Sequence, residues 1–151
     1  MMSRIFLTLL AALLFSFAAV AQEVSPQPQD PPVSIQSVES YPIAPGCADG
    51  ETLDEQYACL TRFLQNHIRE KFEFPERARA QQQGGRVWIG FVIELDGSIS
   101  NVRVDRSSGV ASIDAEALRV VQLLPKMEKP ATLNGEPVKI QYHVPVNAQL
   151  H

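Results

Sequence analysis

One stretch of this chain has few foldable alternatives. Over residues 86–95, Val87, Ile89, Phe91, Ile93 and Leu95 alternate with Trp88, Gly90, Val92 and Glu94. A helix would scatter those apolar positions around its axis, whereas a strand puts all five on one face. Asp96-Gly97 follows, a dipeptide suited to the type I′ hairpin turn because both residues tolerate positive φ. Residues 98–106 return with Ile99, Val102 and Val104, and the change of phase between 99 and 102 predicts a bulge or bend. A hairpin with one apolar face is barely stable alone. The rest of the chain must cover it.

Thr52-Leu53-Asp54-Glu55 reads as a capping box, Thr followed three residues later by Glu. Leu53, Tyr57, Leu60, Leu64 and Ile68 then recur at steps of three and four, one apolar helical stripe with Cys59 inside it. Pro75 suits the first position of a second helix, because its missing N–H would be unpaired there in any case. That helix continues over residues 76–83 and ends at Gly84-Gly85. Ser112 or Asp114 caps a third helix, striped by Ile113, Ala117, Leu118, Val121 and Leu124 and stopped by Pro125. After an Asn134-Gly135 turn, Val138, Ile140, Tyr142, Val144 and Val146 alternate as a last strand. Pro145 lies within that run, and since proline cannot donate to a ladder, it assigns the strand's far end to a sheet edge. The expectation is an α+β domain: a three-stranded antiparallel sheet with helices packed on one face, plus an N-terminal helix.

The N-terminus has the order of an export signal. Residues 1–4 supply one positive charge, residues 5–15 are apolar but for Thr8, and Ala19-Val20-Ala21 is a small-x-small cleavage pattern that leaves Gln22 first. The alternative for residues 1–21 is an uncleaved membrane anchor, at the lower length limit for spanning a bilayer. Residues 22–46 hold six of the eleven prolines among Gln, Ser, Val and acidic residues, and are expected to be a disordered, extended leader. Residues 47–72 form a disulfide-linked helical segment, residues 73–147 the main domain, and residues 148–151 a tail.

Cys47 and Cys59 are the only cysteines, and export puts them where disulfides persist. A bridge between them would remove about 3 kcal/mol of unfolded-chain entropy and pin residues 41–46 against the helix carrying Cys59. Metal binding is the rival reading, but it needs two more ligands and His67 is the only histidine nearby.

At 151 residues the chain holds one domain's worth of sequence. Its 13 basic side chains against 17 acidic ones give a net charge of -4, the wrong sign for gripping nucleic-acid phosphates or an anionic lipid surface. No nucleophile-and-base pair emerges: His67, His143 and His151 fall on a helix, in the edge strand and at the terminus. Glu73 and Glu76 flank a helix start, where they favour its dipole. Gly84-Gly85 lacks the Lys-Ser/Thr of a phosphate loop. Trp88 and Phe91 point to opposite faces of one strand and form no base-stacking platform. No catalytic residue, metal, cofactor, nucleic acid or small-molecule substrate is expected.

Residues 70–147 resemble the C-terminal domain of the TonB family. The resemblance rests on an ordered series: Phe74-Pro75-x-x-Ala78, Gly85-Arg86-Val87, Phe91-Val92-Ile93 leading into Asp96-Gly97-Ser98-Ile99, and Asn101-Val102. Ser107-Ser108-Gly109, Asp114-Ala115-Glu116-Ala117-Leu118, Pro130-Ala131, Asn134-Gly135, Val138-Lys139-Ile140 and Val144-Pro145-Val146 complete it. It implies a periplasmic, non-enzymatic domain that grips a short segment of an outer-membrane receptor, or of a similar envelope protein, by strand addition during energy-coupled transmembrane transport. Carried onto this chain, the peptide lies along Val138, Lys139, Ile140, Gln141, Tyr142, His143 and Val144. Lys71, Phe72, Glu73, Phe74 and Pro75 then face the receptor. The family's transducers carry a Ser and a His in an N-terminal anchor, and no His occurs in residues 1–66. A second reading is therefore a structural or self-associating cell-envelope module without energy transduction, for example a homodimer joined through its sheet edges.

Overall fold

The alternating run forms the centre of the sheet. In chain order the described residues, 31–48 and 52–150 of a computed structural model, build β1 (Val33–Ser34), a 3₁₀ turn (Ile35–Ser37), α1 (Leu53–Lys71) and α2 (Glu76–Ala80). Then follow β2 (Gly85–Ile93), β3 (Ile99–Arg106), α3 (Ala111–Gln122), β4 (Ala131–Leu133), β5 (Glu136–Val138) and β6 (Ile140–Ala148). Strands β6 and β3 flank β2 antiparallel, and β6 matches β2 from Gly85↔Ala148 to Ile93↔Ile140 without a break. The three-stranded antiparallel sheet is present, and the short β1 adds a fourth strand, parallel, outside β6. The expected irregularity in β3 is there too: its register against β2 shifts, and Asn101 takes a φ of 48°.

One face of the sheet is apolar and the helices cover it. Val87, Ile89, Phe91 and Ile93 of β2 join Ile140, Val144 and Val146 of β6, Leu60 and Leu64 of α1, and Ile113, Ala117 and Val121 of α3 in one core. Burying each larger side chain of this set stabilises the fold by about 1.5–3 kcal/mol. The capping box at Thr52 and Glu55 starts α1 as its sequence demands. Its apolar stripe begins later than expected. Leu53 and Tyr57 are exposed, and Gln56 is buried in their stead, its Oε1 accepting the Tyr41 N–H at 3.0 Å. Helix α3 begins at Ala111 with no side-chain cap. Asp114 instead accepts from the Ser108 N–H and hydroxyl and from the Ser107 hydroxyl, tying the preceding loop to the helix.

Two turns differ instructively. Within the turn between β2 and β3 only Gly97 has positive φ, and its N–H donates to the Glu94 carbonyl. The loop is thus three residues, Leu95-Asp96-Gly97, a type I turn closed by a left-handed glycine rather than the type I′ pair. The Asp96 carboxylate accepts from the Ser98 hydroxyl and N–H, which holds its pKa down to about 2. At Asn134-Gly135 both residues have positive φ, so the type I′ turn is found there, closing the separate hairpin β4–β5. Val138 belongs to that hairpin, and the edge strand starts only at Ile140.

The leader is the largest correction. Its residues 31–46 do not form a free tether. Ser40 and Ile43 bridge to Thr132 and Lys129 of the β4 region, and Ile43 and Ala44 are buried. Cys47 and Cys59 form a disulfide, and the Tyr41 and Tyr57 rings pack at 5.3 Å, a second tie between the leader and α1. A proline-rich segment is extended, and an extended segment is what an unpaired strand edge can accept. Residues 1–21, read as a signal or anchor, lie outside the described residues. None of the described helices is long and apolar enough to cross a membrane.

Candidate functional site

The outer edge of β6 has a direction that can be worked out atom by atom. The Val33 N–H donates to the Lys139 carbonyl at 2.8 Å. Within a strand, a residue's N–H and C=O share one side and successive residues alternate. The backbones of Gln141, His143, Pro145 and Asn147 therefore face outward, and those of Ile140, Tyr142, Val144 and Val146 face β2. Pro145 stands in the outward set, where its missing donor costs the β2–β6 ladder nothing. Beyond Ser34 the backbone leaves strand geometry for the 3₁₀ turn, and Ile35 and Val38 rest partly buried against the core. Among the described residues, no strand pairs with the outer side of β6 over residues 143–147. At ~3.3 Å per residue this is an open edge of about 15 Å.

Each face beside that edge has its own chemistry. On the helix side Tyr142 is buried, its hydroxyl 3.4 Å from Thr61 Oγ1 and its ring 5.6 Å from Phe91. Burial pushes its phenol up to about 12. On the opposite side His143 Nδ1 meets Asp105 Oδ2 at 2.5 Å, and Arg103 Nε meets the other carboxylate oxygen at 2.9 Å. These side chains reach across β2 above Gly90, where a Cβ would strike the Asp105 carboxylate. The only sequence signal for this bridge is a glycine inside an otherwise bulky strand, which marks a close approach.

The seven residues assigned to the peptide divide four ways. Gln141 and His143 offer backbone groups to the edge, whereas Ile140, Tyr142 and Val144 bond inward to β2 and fill the core. Val138 pairs with Ala131 in the hairpin. The Lys139 ammonium is 3.0 Å from Glu94, whose carboxyl is held below the usual range chiefly by the Ser100 hydroxyl.

The group assigned to the receptor is tied to α3. The Lys71 carbonyl accepts from Arg119, and the Glu73 N–H donates to Glu116 at 2.8 Å. The Arg119 guanidinium in turn holds the Glu116 carboxyl below its ordinary pKa. The Phe72 and Phe74 rings meet edge-on at 6.3 Å, and Pro75 precedes α2. These five residues and the β6 edge are held by different elements. Sequence reasoning missed Val33 and Ser34, which occupy the Ile140–Gln141 end of the edge. Among the described residues, no group of three His, Cys, Asp or Glu could hold a metal ion.

Comparison with known proteins places this geometry in context. The family model described as Gram-negative bacterial TonB protein C-terminal matches residues 70–149. The TonB protein of Haemophilus influenzae is 28% identical over 81 residues, which cover 54% of this chain and 28% of that protein. The match thus spans under a third of that relative's length. The solution structure of a TonB C-terminal domain from Helicobacter pylori is 22% identical, covers 69% of this chain and 98% of its own, and superposes with a TM-score of 0.49. That from Pseudomonas aeruginosa is 24% identical, covers 52% and 77%, and superposes at 0.43.

Proposed function

Because the chain belongs to the family of TonB C-terminal domains of Gram-negative bacteria, we propose that it binds an extended segment of an outer-membrane receptor by strand addition to β6. The family interacts with outer-membrane receptors and is involved in energy-coupled transport. The observation that carries the reading is the open outer side of β6 over residues 143–147. A strand laid there would meet the His143 and Asn147 N–H groups and the carbonyls of His143, Pro145 and Asn147. Main-chain bonds of this kind supply affinity with little demand on sequence, while side chains on the two faces select the partner. An unpaired edge is otherwise an aggregation hazard, so keeping one exposed favours a use for it.

The protein acts in the periplasm in this reading. Residues 71–75, grouped with α3, form a second contact with the receptor rather than part of the strand groove. Titration of the isotope-labelled protein with synthetic peptides from periplasm-facing receptor segments tests this. Amide shifts centred on His143 and Asn147 are expected. Shifts at the same edge that grow with protein concentration in the absence of peptide would point to self-association instead. Shifts that avoid β6 altogether would refute the site.

A further inference from the structure

The strand edge already has an occupant. Val33–Ser34 lies parallel to Ile140–Gln141, and the Val33 N–H takes the Lys139 carbonyl. A parallel ladder in this register aims the Gln141 N–H back at the Val33 carbonyl. Those backbone groups cannot serve the leader and an incoming peptide at once. We propose that β1 is a built-in competitor for the peptide edge, seated at rest and displaced when a peptide spans β6 from Gln141 onward. The inference rests on the reading of β6 as the peptide site and adds its regulation.

The leader is divided in the way a displaceable clip requires. Its second half is held firmly: Ile43 and Ala44 are buried, Ile43 and Ser40 bridge to Lys129 and Thr132, and Cys47 is joined to Cys59. Its first half is held lightly. Only two residues pair with β6, Pro31, Pro32, Ser34, Gln36 and Ser37 are exposed, Val33 is partly covered, and Ile35 and Val38 touch the core without being fully buried. Residues 31–37 can therefore leave the edge while residues 40–47 stay in place. Because the disulfide holds the clip near its seat, it competes at an effective concentration that a free peptide must overcome. Peptide footprints confined to residues 143–147 escape this competition. Those that include Gln141 do not.

Val33→Pro in the full chain removes the donor that seats β1 and leaves the core, the hairpin contacts and the disulfide untouched. Two readouts are taken: hydrogen exchange of the Gln141 amide without peptide, and calorimetric affinity for synthetic peptides from periplasm-facing receptor segments. A clip closed about nine-tenths of the time weakens apparent affinity about tenfold. The variant is accordingly expected to bind peptides that shift the Gln141 amide about tenfold more tightly, with faster Gln141 exchange in the free protein. Unchanged affinity for those same peptides would overturn the competition while leaving the peptide edge standing. Absence of peptide binding at β6 in both proteins would overturn the edge reading, and the competition with it.

Discussion

The alternation of backbone direction along β6 makes a proline scan unusually informative. At position 143 the N–H faces outward and, among the described residues, bonds to no strand. His143→Pro should therefore change folding stability by only about 1 kcal/mol, mostly through the lost His143–Asp105 contact. One position on, the Val144 N–H faces Ile89 of β2, and the Val144 side chain lies in the core. Val144→Pro removes a ladder bond worth about 1 kcal/mol and orphans a buried carbonyl at a further ~1–3 kcal/mol, so a loss of about 3 kcal/mol is expected. Peptide binding should invert this order of severity. His143→Pro deletes one main-chain bond and leaves the peptide's carbonyl unpaired, about 2 kcal/mol or roughly thirtyfold in affinity. His143→Ala keeps the N–H and serves as control, losing the contact with Asp105 but not the affinity. Urea denaturation and calorimetric titration supply both numbers. Equal destabilisation by the two prolines would show the assignment of edge-facing and ladder-facing residues to be wrong. Undiminished binding by His143→Pro would remove the edge from the function.

Two further outcomes follow from the surroundings. Replacing Cys47 and Cys59 together by Ser should lower stability by about 3 kcal/mol on the loop-closure model, measured by denaturation, and should loosen residues 40–46 in hydrogen exchange. No loss in either measure would mean that the bridge does not hold the leader. In acid, Glu94, Asp96, Asp114 and Glu116 all titrate below their ordinary values in the folded chain, with Asp96 at about 2. The folded state binds fewer protons there than the unfolded one, so stability is present above about pH 4.5 and is lost as pH falls toward 2. Asp96→Asn should flatten part of that decline in denaturation curves recorded from pH 5 to 2. An equally steep decline in the variant would contradict the assignment.

The elements easiest to read from sequence were those in which one periodicity acts alone. Strand β2 and strand β6 alternate because one face meets helices, and Leu60 and Leu64 fall at helical spacing because they meet the sheet. Pro145 marked an edge correctly, since its missing donor points away from β2. Where competing interactions decide the outcome, local pattern misled. Asp96-Gly97 alone looks like a two-residue turn, but Leu95 joins the loop and the Asp96 carboxylate caps Ser98. The run from Val138 to Val146 looks like one strand because alternation is blind to the break at Lys139, where the chain leaves β5 for β6. Gln56 is polar yet buried because a leader backbone group, the Tyr41 N–H, needs its oxygen. The proline-rich leader declares itself extended, but composition does not say which edge an extended segment will join. Half of the candidate site was hidden for that reason. The outward groups of Gln141 and His143 follow from strand geometry, whereas the occupancy by Val33–Ser34 is a tertiary fact.

Residue-resolved hydrogen exchange of β6, with and without a receptor peptide, reaches the account most directly. Before peptide is added, the Tyr142, Val144 and Val146 amides should be slow, bonded to β2, while those of His143 and Asn147 exchange freely. Peptide should slow His143 and Asn147 and leave the other three unchanged. Protection that arises elsewhere, or His143 and Asn147 amides as fast with bound peptide as without it, would contradict strand addition at this edge.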